Sequence, residues 1–357
     1  MPPFYLVIFL GLSIGIVTGL ILQRGRVCSN SAFRNLLLIR DFDLTLIIII
    51  AVSIELIGYQ LLAIISIPEF TFVSNPIPFS ILFIPLGSLL FGFGTAIAGG
   101  CAGGVCYRIG EGSLKSLLAF FGFAAGIGLI YVEPLKSIVE NLRNSTNWTI
   151  NNKVPSLEIL FPRWVWTLGA LILLIFSIYY YKKHTLRLVH LRPHWTPIIS
   201  GFLLGVVGTF ARFFSTLSGR PFGFSTTDGI GQIFSFLLSS IGIVFMQSLD
   251  WAGFFIIGLI VGSLFSSIQI KEFKLKVPSR GDTLRFFGGG LILGTGAMLA
   301  LGCNFGHILG GLPELGISSV FATVLMILGN WTGTYLLYNI MKQEVPKSTP
   351  MSLELIV

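Results

Sequence analysis

Charge is the first thing this chain is short of: Asp, Glu, Lys and Arg make up 11% of its 357 residues, whereas 54% are hydrophobic. A soluble domain of this length could not hide so much apolar surface inside itself, so the sequence reads as an integral membrane protein. It also lacks any polar stretch long enough for a separate soluble domain. Acids are scarcer than bases, 15 against 23, which gives a net charge of +8. The bases cluster in short loops beside apolar runs, where they report membrane orientation, and nucleic-acid binding is excluded on that pattern. Cysteine is nearly absent too. Cys28, Cys101, Cys106 and Cys303 are the only four, and their spacing matches neither a zinc site nor a secreted disulfide framework. No metal and no cofactor motif is expected.

Apolar runs of the length needed to cross about 30 Å of hydrocarbon recur from end to end. They predict an all-α polytopic membrane protein with nine spans near 4–22, 43–66, 79–98, 113–131, 163–181, 197–215, 251–268, 283–301 and 316–340. Four stretches between them, 25–40, 99–112, 216–248 and 302–315, are too short, too glycine-rich or too polar to cross. They read as re-entrant segments that enter the membrane and return on the same side. The first run has no basic residue before it and "QRGR" after it, the reverse of a cleavable signal, so it reads as a retained span with its N-terminus outside. An odd number of spans then places the C-terminus in the cytoplasm. Most of the 23 basic residues fall on that side, as the positive-inside rule asks. Arg212 and Arg220 do not. They fall outside, beside a re-entrant segment, as candidates for an anion path.

The chain repeats itself. "GFGTAIAGGCAGG" (92–104) aligns without a gap on "GTGAMLALGCNFG" (294–306), and "GLSIGIVTGL" (11–20) resembles "GFLLGVVGTF" (201–210). The expected organisation is a first repeat over 1–150, a connecting region with a central span and a basic cytoplasmic loop over 151–194, a second repeat over 195–345 and a cytoplasmic tail over 346–357. Equivalent spans lie five apart, so the two repeats are inverted in the membrane, a plan that places a site near the midplane. The basic patch "YYYKKHTLRLVHLRPHW" marks a lipid headgroup interface.

Glycine–cysteine clusters between helices can bend sharply and point bare N–H groups into a cavity, and the short helices starting there bring the positive ends of their dipoles. Irregular backbone at membrane depth is tolerated where it is buried in protein or lines a polar cavity. Such a place attracts a small anion. Cys101 and Cys303, preceded by Gly100 and Gly302, recur at the same place in both repeats and are the principal candidates, joined by Cys28 in "RGRVCSNSAFR". Cys106 lies outside the repeat and reads as a packing residue. A thiol is a weak donor with a polarisable sulfur, a poor match for phosphate or sulfate and a better one for an anion that exposes its own sulfur. Asn304, next to Cys303, could orient the ion. Glu55, Asp250 and His307 are further polar groups in or near spans, each with a structural alternative: a packed side chain, or for Asp250 a solvated span edge.

At "QRGRVCSNSAFR", "AGGCAGGVCYRIGEG", "GRPFGFST" and "ALGCNFGHILGG" the sequence resembles the YeeE/YedE family of bacterial sulfur-compound transporters, and especially its thiosulfate-transporting YeeE (TsuA) branch. The resemblance extends over nearly the whole chain. It implies an hourglass-shaped protein of the bacterial inner membrane that takes up thiosulfate, handing the ion along Cys28, Cys101 and Cys303 by S–H···S hydrogen bonds. It also implies a cytoplasmic sulfur-carrier protein as recipient. Other members are linked to selenium or other sulfur compounds, and "GRPFGFST" has Phe where the family pattern has Trp. A membrane sulfurtransferase or thiol redox enzyme is the alternative. Against it, no CxxC pair and no His/Asp activating group stands beside the cysteines.

Overall fold

The computed structural model describes residues 3–64, 72–150, 153–184, 195–239 and 249–344. Within them the chain is helical almost throughout, because in hydrocarbon every backbone N–H and C=O must find a partner inside its own segment. The helices are α1 (Phe4–Gly25), α2 (Ser29–Leu38), α3 (Asp43–Ile64), α4 (Phe83–Ile97), α5 (Ala102–Gly110), α6 (Leu114–Tyr131), α7 (Leu135–Ser145), α8 (Arg163–His184), α9 (Pro197–Leu217), α10 (Thr226–Ser239), α11 (Trp251–Gln269), α12 (Arg280–Leu299) and α13 (Ile317–Glu344). A wide π-type turn covers Phe305–Gly311. Two-residue strands, Phe79–Ser80 and Asn147–Trp148, pair antiparallel beside α4.

Among the described residues eight helical runs are long and apolar enough to cross a membrane: α1 with α2, α3, α4 with α5, α6, α8, α9, α11 and α13. The ninth expected span is present as α12, 20 residues long, but its hydropathy falls short of the others. Arg280, Asp282 and Arg285 occupy its first turns and six of its residues are glycine. Because α12 packs along both α4 and α6, much of its surface meets protein and needs less apolarity than a lipid-facing helix. Of the expected basic loop, residues 185–194 lie outside the described residues, as do 240–248 of one predicted re-entrant stretch and the tail 346–357.

Packing follows a reciprocal pattern. α1 lies along α11 and α9 along α3; α6 lies along α12 and α13 along α4; α1 meets α9, and α4 meets α12. Glycines set the closeness of these contacts, as is usual where lipid offers no hydrophobic drive between helices. A Cβ on Gly15 of α1 would stand 2.9 Å from the backbone nitrogen of Leu259 in α11, and one on Gly126 of α6 would stand 2.8 Å from that of Thr295 in α12. α8 packs on α3 at the periphery. Its outward Leu168, Ile172, Ile175 and Phe176 are each more than half exposed, the composition of a lipid-facing surface.

Candidate functional site

Three of the four cysteines are delivered by one repeated backbone device. α1, α4 and α12 each end in a residue with left-handed backbone: Arg26 (φ 51°), Gly99 (φ 67°) and Leu301 (φ 60°). The residue after it donates its N–H back across the last turn, Val27 to Leu22 O (3.0 Å), Gly100 to Thr95 O (3.1 Å) and Gly302 to Ala297 O (2.9 Å). This is the bond that closes a Schellman motif and satisfies the orphan carbonyls of a helix end. Two residues beyond each left-handed position stands a cysteine: Cys28, Cys101 and Cys303. Each cysteine carbonyl then accepts the first bond of the next turn, from Ala32 (2.9 Å), Val105 (2.7 Å) and His307 (2.8 Å). Cys106 is different. It lies inside α5, fully buried, with no such turn before it.

The sulfurs of Cys28 and Cys101 are 3.5 Å apart, and Cys101 Sγ also accepts from the Gly104 N–H (3.2 Å). A Cβ on Gly104 would stand 2.6 Å from Cys28 Sγ, so only glycine leaves room for the pair. Cys303 is elsewhere: its Sγ is 2.7 Å from Thr226 Oγ1, in a thiol–hydroxyl hydrogen bond at the start of α10. The two places meet at Phe305, two residues after Cys303, whose buried ring lies against Gly103 in the first turn of α5. Asn304 donates to Ser29 Oγ (2.7 Å), tying the Cys303 loop to the Cys28 loop. Each of these three thiols is only 1% exposed.

A cavity of about 310 Å³ opens in front of Cys303 and Gly302. Arg143, Arg220, Thr227 and Asp228 also line it. Arg220 forms an ion pair with Asp228. Arg143 forms no ion pair among the described residues. Its Nη2 donates to Met298 O (2.8 Å), its guanidinium lies over the Phe83 ring, and its Nε has no partner. Burial lowers the Arg143 pKa from its ordinary value, with Glu140 opposing the shift. Thr227 is 4% exposed and its hydroxyl is likewise without a partner.

The other polar residues singled out in the sequence lie apart from the three sulfurs. Arg212 is buried, donating to Glu314 Oε1 (2.8 Å), Val73 O (2.8 Å) and Thr216 Oγ1 (2.6 Å), and does not line the cavity. His307 is pinned between Ala300 O (2.8 Å) and Ser319 Oγ (3.2 Å), away from the cavity wall. Asp250 caps α11 through the Ala252 N–H (2.7 Å). Glu55 is fully buried with both oxygens unpartnered, packed against Gly208 of α9. Beside the cavity-lining Arg143 and Thr227, two groups near the sulfurs escaped sequence reasoning. Thr226 is 77 residues from Cys303 and carries no local signal. Arg108 sits two helical turns after Cys101, and its Nη1 folds back onto Gly99 O, so its charge lies beside Gly100. The spacing was visible; the reversal was not. On the α1 side of Cys28, Arg26 pairs with Glu111 (2.8 Å) and Glu272, and buried Gln23 donates to both, at 3.3 and 3.0 Å.

A bundle of apolar helices around broken helices, with a cavity ending on a buried thiol, has the build of a membrane transporter. The family profile described as Sulphur transport matches residues 24–332, and the chain belongs to that family. Among curated relatives, a protein of Spirochaeta thermophila named thiosulfate transporter TsuA is 33% identical over 343 residues, covering 93% of this chain and 99% of the relative. The Escherichia coli protein of the same name is 29% identical over 344 residues, covering 92% and 94%. A probable transporter YedE of E. coli is 32% identical over 82 residues, covering 23% of this chain and 20% of the relative.

Proposed function

We propose that the protein takes up thiosulfate across the bacterial inner membrane, passing the ion from the cavity to Cys303 and on to the Cys28–Cys101 pair by hydrogen bonds from thiols. The observation that carries this reading is the threefold use of one turn to present a cysteine at a helix start, two of the sulfurs meeting at 3.5 Å. The names of the two long-range relatives support thiosulfate as the ion. Its terminal sulfur is soft and polarisable, so a thiol suits it better than it suits the hard oxygens of sulfate. Asn304, Gly100 and Gly302 belong to the same path, the glycines by letting backbone N–H groups approach the ion.

The reciprocal packing of α1 on α11 with α9 on α3, and of α6 on α12 with α13 on α4, supports two inverted repeats over 1–150 and 195–345. In that arrangement the Cys303 cavity faces outward and the Cys28–Cys101 pair faces the cytoplasm, with both described termini as the basic-residue pattern assigns them. A cytoplasmic sulfur carrier receives the ion. Moving a dianion into an inside-negative cell costs roughly 4 to 5 kcal/mol at 100 mV. Net uptake therefore needs a co-transported cation or rapid consumption of thiosulfate inside.

The test is uptake of labelled thiosulfate into proteoliposomes of the purified chain, with sulfate as competitor and the internal sulfur species identified afterwards. Intact thiosulfate inside, with weak competition from sulfate, is the expected result. Only cleaved sulfur inside, or none, contradicts the reading.

A further inference from the structure

An anion path has no obvious use for a carboxylate, yet Asp228 lines the cavity in front of Cys303. It pairs with Arg220, whose Nη1 also reaches Gly223 O at 3.4 Å. The two partners are unequally held. The Arg220 side chain is 14% exposed and lies over the Phe222 ring, whereas the Asp228 side chain is 43% exposed and is otherwise fixed by the Ser225 hydroxyl at 2.7 Å. Asp228 is therefore the member free to leave. Arg143 and Thr227 also line the cavity, and Arg143 Nε and the Thr227 hydroxyl are buried without a hydrogen-bond partner. Leaving such groups unpaired is costly, and a ligand that accepts from them recovers that cost.

We propose that this cavity is a capture site for a divalent oxyanion in which Asp228 is a resident counter-ion: the arriving anion displaces it from Arg220 and takes Arg143 and Thr227 as further donors. The inference rests on the thiosulfate reading above and extends it by giving the cavity a charge balance. Empty, the site holds one ion-paired arginine and one, Arg143, with no carboxylate partner among the described residues; loaded, both arginines serve the dianion and Asp228 turns to solvent and Ser225. A fixed carboxylate in this position sets a threshold that weakly held monovalent anions fail to cross.

The experiment is the KM for thiosulfate uptake in proteoliposomes of the full chain. Asp228→Asn keeps the size of the side chain and its ability to accept from Ser225, and it should lower KM about threefold to fivefold, the size of a half-exposed charge contact. Arg143→Gln should raise KM about tenfold or more, the size of a lost charge-assisted hydrogen bond. In an Arg220→Gln background the gain from Asp228→Asn should vanish. Size-exclusion profiles of the variants identify any that fail to fold; because Asp228→Asn predicts a gain, misfolding cannot imitate it. An unchanged or raised KM in Asp228→Asn, with wild type transporting, overturns this inference alone, as does a gain that survives Arg220→Gln. Absence of wild-type uptake overturns both this inference and the function beneath it.

Discussion

At the scale of single residues, the site depends on atoms that are absent as much as on those present. Gly104 has no Cβ, and that void lets Cys28 and Cys101 approach to 3.5 Å. Gly104→Ala is an overpacking change that costs about 1–3 kcal/mol. The variant should still insert and purify, with uptake reduced about tenfold or more; wild-type uptake would mean that the sulfur pair has slack the geometry denies. Cys101 and Cys303, each preceded by a glycine, were legible in the sequence because their motif occurs twice, whereas Cys28 has no such second copy. Thr226, Thr227 and Arg143 were not, because each reaches the site through a tertiary contact from an element far along the chain, and nothing in their local sequence separates them from other polar residues at helix ends. Arg212 stood out as a basic residue on the outer side and His307 as a polar group near a span; in the folded chain both are engaged with neighbours.

Among the elements, the unit that matters is a helix that stops, turns through one left-handed residue and restarts on a cysteine. Gly99 advertises such a turn. Arg26 and Leu301 do not, since non-glycine residues seldom take that conformation, and this is why the common device behind the three cysteines is apparent only in the folded chain. A side chain in the left-handed region costs about 1–2 kcal/mol. Leu301→Gly should accordingly raise the thermal stability of the purified protein while uptake is retained, whereas Gly99→Ala should lower stability, its new methyl also lying 2.9 Å from the Phe286 ring. Thermal unfolding followed by tryptophan fluorescence reads both. A fall in stability on Leu301→Gly would show that the leucine side chain contributes more than its backbone strain subtracts. The short helices that follow these turns were legible as breaks in hydropathy, and α12 was legible as an apolar run at 283–301 despite its charged start and its glycines.

Over the whole molecule, the cavity ends at Cys303, and the buried ring of Phe305, two residues further on, reaches the first turn of α5 behind the Cys28–Cys101 sulfur pair. Polar ties between parts of the chain far apart in sequence hold the buried region together, Asn304 to Ser29 and Asn330 to Asn30 among them. The span pattern was readable from composition and periodicity because the bilayer forces it. How the helices interlock was not, since it is carried by glycine contacts between helices distant in sequence. The central claim is that three thiols, and not the fourth, conduct the ion. It is tested most directly by uptake of labelled thiosulfate into proteoliposomes holding Cys28→Ala, Cys101→Ala, Cys303→Ala or Cys106→Ala beside wild type, at matched protein content. The account predicts severe loss in the first three and near-normal uptake in Cys106→Ala. Uptake at the wild-type rate in all four would contradict it, and would leave the backbone N–H groups and the cavity arginines as the groups that hold the ion.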